Sequence, residues 1–364
     1  MGHRPRRDNF PAGLPPMASL TSASLLLSCC LVSPLLAAPD PAEDRPKSGG
    51  TLSLYVENDS VAGTDHNYTS GLKIGWSSPD LGKFSDTAVA RPILPALEAL
   101  PAINSPVYQK NLVLALGQNI YTPDDTQATQ PILNDRPYAG WLYMGVGIVW
   151  KTAKVRNSVI FDIGVVGPWS LAKETQRLAH DVLQQDHPLG WDNQLHNELG
   201  VVGTYERTWR WPGHERRSGL DWELLPHAGF ALGNVATYAN LGAELRFGLN
   251  LPDDFGSSAI NTSAVTSTPV DGAMAAGRPR ADLGIHLFGR VDGRAVGHDI
   301  FIDGNTFGDS PSVGHNIFVA DLSTGVAITY KDTSLAYAFV YRTREFPGQE
   351  SAQIFGTISL NVTY

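Results

Sequence analysis

The feature that most constrains this chain is a two-residue rhythm that recurs from Thr51 onward. Leu52, Leu54 and Val56 alternate with Thr51, Ser53 and Tyr55, and Leu72, Ile74 and Trp76 with Gly71, Lys73 and Gly75. Further along, Leu112, Leu114 and Leu116 keep the beat, as do Leu142, Met144, Val146, Ile148 and Trp150. Val159, Phe161, Ile163 and Val165 oppose Ser158, Asp162 and Gly164, and Leu283, Ile285 and Leu287 oppose Asp282, Gly284 and His286. Period two means strands with one apolar face. The second face is Gly, Ser, Thr, Asp and Arg. A soluble β-sandwich, the alternative, would turn mainly Lys and Glu to water, whereas this composition suits the interior of a membrane barrel.

Segments near 51–57, 69–77, 111–119, 140–151, 156–166, 197–210, 219–231, 240–249, 281–292, 316–329, 333–344 and 352–364 carry the pattern. The expected fold is therefore all-β: a transmembrane antiparallel β-barrel of about 12 strands, closed because lipid cannot satisfy an open edge. Trp76, Trp150, Trp209 and Tyr330 fall at strand ends, where interfacial girdles sit. The segment "QIFGTISLNVTY" resembles the assembly signal of outer-membrane barrels.

Arg4, Arg6 and Arg7 precede an apolar run from Leu20 to Leu36, followed by Ala37 and Ala38. These are the marks of a secretory signal peptide over residues 1–38, leaving 39–364 as a single barrel domain; Met17 is an alternative start. Both cysteines, Cys29 and Cys30, lie within that signal. Beyond it no apolar run approaches the ~18 residues of a spanning helix. The net charge of −9 argues against nucleic acid, whose phosphates call for concentrated Lys and Arg.

With both termini periplasmic, the connections 58–68, 120–139, 167–196, 232–239, 293–315 and 345–351 lie at the cell surface. Those at 152–155, 212–218 and 330–332 are short periplasmic turns. Two periplasmic connections, 78–110 and 250–280, are unexpectedly long, and "RPILPALEALPAI" in the first reads as an amphipathic helix. In the third surface loop Glu174–Gln185 lacks Gly and Pro and sets Leu178, Val182 and Leu183 on one flank, which predicts a short helix containing His180. "NDRPYAG" reads as a tight turn with an Arg–Asp pair in the barrel mouth.

The ordered set "ENDS…TDHNYTSGL", "GQNIYTP", "NDRPYAGWLY", "GVVGP…QRLAH", "GWDNQLHNE", "NLPDDFG" and "GRAVGHDIFIDGNTF…S" resembles the LpxR-type lipid A 3′-O-deacylases over most of 52–364. The resemblance implies a calcium-dependent ester hydrolase in the bacterial outer membrane, acting at the extracellular side on lipid A of lipopolysaccharide. Its motif residues fall on Asn58, Asp59, Thr69 and His180, not on His196 of "QLHNE". A lysine of the family's second loop falls near Gln127 or Thr126 here, and His66 stands where arginine is common. In this reading His180 activates water, because imidazole titrates near neutrality. Asp59 ligates Ca2+, an oxygen-seeking cation. Asn58 helps stabilise the oxyanion and Thr69 hydrogen-bonds within the site. No "GxSxG" elbow offers a serine nucleophile. Lipid A and membrane lipids are the expected partners of a monomer. The alternatives are a non-enzymatic channel or structural barrel, and a barrel phospholipase.

Overall fold

Twelve strands close into an antiparallel ring: β1 (Thr51–Asn58), β2 (Asn67–Ser77), β3 (Gln109–Thr122), β4 (Ala139–Lys151), β5 (Val155–Val166), β6 (Glu198–Trp209), β7 (Leu220–Gly233), β8 (Ala236–Leu249), β9 (Leu283–Asp299), β10 (Phe318–Tyr330), β11 (Thr333–Arg342) and β12 (Gln353–Thr363). Each strand pairs with its sequence neighbours, and β1 pairs with β12 from Thr51↔Thr363 to Asn58↔Gly356. Trp211 and Pro212 prolong β6 past Arg210, pairing with Leu224 and Glu223 of β7. Among the described residues closure gives every strand of the ring a partner on both sides. The computed structural model describes residues 49–59, 67–81, 103, 107–212, 219–256, 269–270 and 282–364. The assigned signal peptide lies outside these residues, as does most of "RPILPALEALPAI". Among the described residues no helix is long and apolar enough to cross a membrane.

The predicted alternation sorts cleanly into wall and lumen. Leu52, Leu72, Ile74, Leu116, Met144, Phe161, Ile163, Leu287 and Leu322 are exposed on the outside, while Thr51, Ser53, Glu57, Lys73, Asp162, Glu206 and Thr357 are buried inside. Trp76, Trp150, Trp209 and Tyr330 all lie towards the same end of the ring, that of Thr51 and Thr363. At that end the Trp76 indole donates to the Tyr364 hydroxyl at 2.8 Å.

The lumen is filled rather than open. Near one end Arg246 meets Glu244 at 2.7 Å, Asp254 at 2.6 Å and Glu223 at 3.4 Å. Mid-barrel, His227 meets Asp292 at 2.6 Å, and Asn240 donates to the same carboxylate. Near the other end Arg342 holds Asp321 at 2.8 Å and Arg294 holds it at 3.2 Å. There the short helix α2 (Ile300–Asp303) drops Phe301 onto Tyr121, ring centroids 4.1 Å apart, with Trp141 alongside.

Two sequence expectations change, and the long connections take partial form. The connection expected at 232–239 is only Asn234 and Val235, because β7 and β8 run on as a tight hairpin. β9 continues to Asp299, past the expected end at 292, since Arg294 points into the lumen and finds Asp321 there. The long connection after β8 is not a mere turn: Asp254 and Phe255 fold back onto Arg246 and Arg210, with the Arg210 guanidinium 4.3 Å from the Phe255 ring. In the other long connection, Ile103 packs on the outward Leu112, Ile148 and Trp150.

Candidate active site

Along the outer wall, one rung of the ladder carries little that belongs in lipid. Asn58 of β1 pairs with Ser70 of β2, Ser70 with Ile120 of β3, and Ile120 with Gly140 of β4. The rung below runs Val56, Leu72, Gln118, Leu142 and Val165. Strand parity puts Asn58, Ser70 and Gln118 on the outward face with Val56 and Leu72.

A structured loop covers that wall. After β5 the chain turns at Gly167, whose φ of 89° and close approach to the His196 carbonyl leave no room for a Cβ. A 3-10 turn (Pro168–Ser170) leads into helix α1 (Ala172–Leu183), close to the predicted Glu174–Gln185. The helix lies on the outside of β3 and β4. Gly140 permits the contact: a Cβ there would meet the Ala172 Cβ and the Ser170 Oγ, each at 2.2 Å. Gln118 donates its amide to the Ser170 carbonyl at 2.6 Å, which accounts for one outward polar residue. Ile120, Tyr138, Ala172 and Trp191 form the apolar seam between wall and loop.

The face of α1 turned inward is Ala172, Gln176 and His180, not the Leu178–Val182 flank, which is exposed. His180 is 4 % exposed. Its Nδ1 lies 2.6 Å from the Asp186 carbonyl oxygen, which only accepts. Nδ1 therefore carries a proton. One turn earlier, Gln176 accepts from the Trp191 indole at 2.7 Å, and the Trp191 ring rests on Tyr138 at 4.9 Å. Sequence reasoning missed Gln176 and Trp191; the i, i+4 spacing of Gln176 from His180 was the available signal. The competing histidines sit elsewhere: His187 is exposed and pairs with Asp181 at 2.8 Å, and the His196 backbone N–H donates to Asn305.

Asp59 follows Asn58 at the end of β1 and is fully buried. Thr69 lies in β2 at the register shift between Tyr68 and Ser70. The side chains here offer oxygen donors, the Asp59 carboxylate and the Asn58 carboxamide. Such a set fits a hard cation such as Ca2+. Among the described residues there is no cluster of three or more His, Cys, Asp or Glu that could hold a metal ion.

The "NDRPYAG" turn proves structural, though its pairing differs from the expected one. Asp135 accepts from the backbone N–H groups of Asp124 and Arg136, while the Arg136 guanidinium reaches Glu345 at 2.7 Å. Arg136 also lies over the rings of Tyr121 and Phe346. Burial alone would raise the Glu345 carboxyl, but Arg136, Arg342 and Arg294 hold it below its usual value. Where the family's lysine would stand, the Gln127 amide donates to the His187 carbonyl at 3.3 Å and ties the second loop to the third.

The family model for the outer membrane protein LpxR matches residues 25–364. Among solved structures, LpxR from Salmonella typhimurium is similar at a TM-score of 0.68 and 18% identity, covering 86% of this chain and 100% of that one. The beta domain of the Bordetella autotransporter Brka covers 88% of this chain and 99% of that one at 10% identity, with a TM-score of 0.42. No curated protein matches. The span of the family model, with the closed twelve-strand ring, places the chain in the outer membrane as a member of the LpxR family.

Proposed function

We propose that this barrel is a lipid A deacylase, hydrolysing the ester of the 3′-linked acyloxyacyl group of lipopolysaccharide at the extracellular side of the outer membrane. The observation that carries the reading is a helix laid on the outside of a lipid-facing wall, with its histidine turned towards the wall. A lumenal site would require the acyl chains to leave the leaflet. A site on the outer wall takes them laterally.

The dimensions suit convergence of the four residues. His180 stands eight residues beyond Ala172, or about 12 Å along the helix. Three strand spacings, about 14 Å, separate Gly140 from Asn58 along the rung. In this scheme the Nε2 atom of His180 takes a proton from water as the water oxygen bonds to the ester carbonyl carbon. The carbon–oxygen bond to the sugar then breaks, the sugar oxygen takes a proton, and a free acid leaves. The Asp186 carbonyl keeps the imidazole in the required tautomer. Asn58 donates its amide to the developing oxyanion, and Thr69 orients groups at the mouth of the site. Asp59 would hold a Ca2+ ion, which supplies positive charge beside that oxygen when bound.

The filled lumen favours this reading over a channel, which needs a continuous aqueous path. Purified protein incubated with lipid A, or with glycerophospholipid, in Ca2+ or in EDTA tests it by product mass. Loss of the 3′ acyloxyacyl mass from lipid A, abolished by EDTA, is the expected outcome. Release of fatty acid from glycerophospholipid alone would point to a phospholipase, and no product to a structural barrel.

A further inference from the structure

Helix α1 leaves a hydrophobic surface that neither the fold nor the proposed chemistry uses. Leu171, Leu178 and Val182 recur at seven- and four-residue spacing, which aligns them on one stripe. Leu178 is 65 % exposed and Val182 57 %, and Trp169, on the turn just before the helix, is 69 % exposed. The adjoining flank is charged: Lys173, Glu174, Arg177 and Asp181.

The structure distinguishes the two flanks. The charged one faces the loop that returns from α1 to β6, with Lys173 bonded to Asp192 at 2.7 Å and Asp181 to His187 at 2.8 Å. That returning segment hangs on the connection between β3 and β4, through Leu189 to the Thr126 carbonyl at 2.8 Å and Asn193 to the Thr129 carbonyl at 2.9 Å. The charged flank thus looks away from the barrel wall, towards the loop end. The apolar stripe lies on the other side. There the outward wall continues as one rung of exposed Ile74, Leu116, Met144, Ile163 and Val201. A helix of this length cannot span a bilayer, but it can lie in its surface with one flank among acyl chains.

We infer that α1 is an interfacial helix of the outer leaflet, with Leu171, Leu178 and Val182 inserted among lipid acyl chains and Trp169 anchored at the headgroup boundary. The stripe extends the barrel's own lipid belt, and an exposed tryptophan at its rim is what such a boundary favours. This surface is independent of hydrolysis and would bind lipid even in an inactive protein.

The test uses the full chain with Cys29 and Cys30 replaced by alanine, reconstituted in vesicles of phosphatidylethanolamine and phosphatidylglycerol. Single nitroxide labels are placed at Leu178→Cys and Val182→Cys. Arg177→Cys serves as the charged-flank reference and Leu116→Cys as the barrel-belt reference. Heat-modifiability on gels confirms that each variant is folded. The ratio of oxygen to nickel-chelate accessibility at 178 and 182 should match that at 116 and exceed that at 177. Nickel accessibility equal to that at 177 would place the stripe in water and overturn the inference. So would spin–spin broadening, which would assign the stripe to a second copy. In unlabelled protein, acyl chains brominated near the headgroup should quench a fluorescence component that W169F removes; an unquenched Trp169 component counts against the inference. The same profiles are expected for H180A, so failure here and failure of the proposed chemistry are separable.

Discussion

Arg246 in the lumen and His180 on the outer wall are both buried polar groups, yet their surroundings differ. Arg246 is ringed by Glu244, Asp254 and Glu223, and its neighbour Arg210 shares Glu223. That charge is compensated on the spot, as a water-poor interior demands. His180, Gln176 and Gln118 lie instead between an amphipathic helix and a wall built for lipid. Their partners are loop groups, the Ser170 carbonyl for Gln118, the Trp191 indole for Gln176 and the Asp186 carbonyl for His180, rather than opposite charges. Polarity inside the barrel thus balances charge against charge, whereas polarity outside it fastens a loop to the wall and turns a histidine inward.

Substitutions can break that contrast or sharpen it. The largest effect is expected from H180A: deacylation should fall by about 10²–10⁴-fold, the usual share of a general base, with the barrel still heat-modifiable. Product mass spectrometry on folded protein reads the first quantity, and gel mobility the second. R246M should do the reverse. It removes the guanidinium shared by Glu244, Asp254 and Glu223, so stability should drop by about 3–5 kcal/mol, visible in urea unfolding, while the folded fraction keeps its turnover. Next comes G140L, whose side chain collides with Ala172 and Ser170 and lifts α1 from the wall. Activity should fall about 10²-fold, as for a displaced catalytic group, with the unfolding midpoint nearly unchanged.

The smallest effect concerns pH. Burial alone would raise the Asp303 carboxyl, but bonds from His298, the Asp299 backbone N–H and His315 bring it down to about 2. A carboxyl lowered on folding stabilises the native state above its unfolded value of about 3.9, and that contribution fades as pH falls towards 2. The cap that seats Phe301 in the barrel mouth should loosen over that window. D303N should flatten the acid limb of a thermal-stability profile and lower the plateau above it, where the Asp303 carboxylate contributes and holds the His298 imidazole above its usual value.

The barrel was legible because each strand repeats one rule, apolar out and small or polar in, from β1 through β12. Reading failed where a lumenal residue has a charged partner far along the chain. The end of β9, "GRAVGHD", looks like a loop until Asp321 is seen opposite Arg294. Likewise "NVATYAN" looked like a connection, although Val235 packs in the core at the barrel mouth and Tyr238 lies against it. The helix was legible but its orientation was not, since composition does not tell an apolar flank that meets lipid from one that meets a core. Asn58 and His180 were indicated by motif; Gln176 and Trp191 emerge only when the loop is folded.

The central claim is that Asn58 and His180, far apart in sequence, meet on the outside of the ring. A chain lacking Cys29 and Cys30 and carrying N58C with H180C tests it through reaction with a short bis-maleimide, read by intact mass and gel mobility. The account predicts one bridging reagent per chain and a more compact band, absent in either single variant. Two independent adducts without a bridge would contradict it.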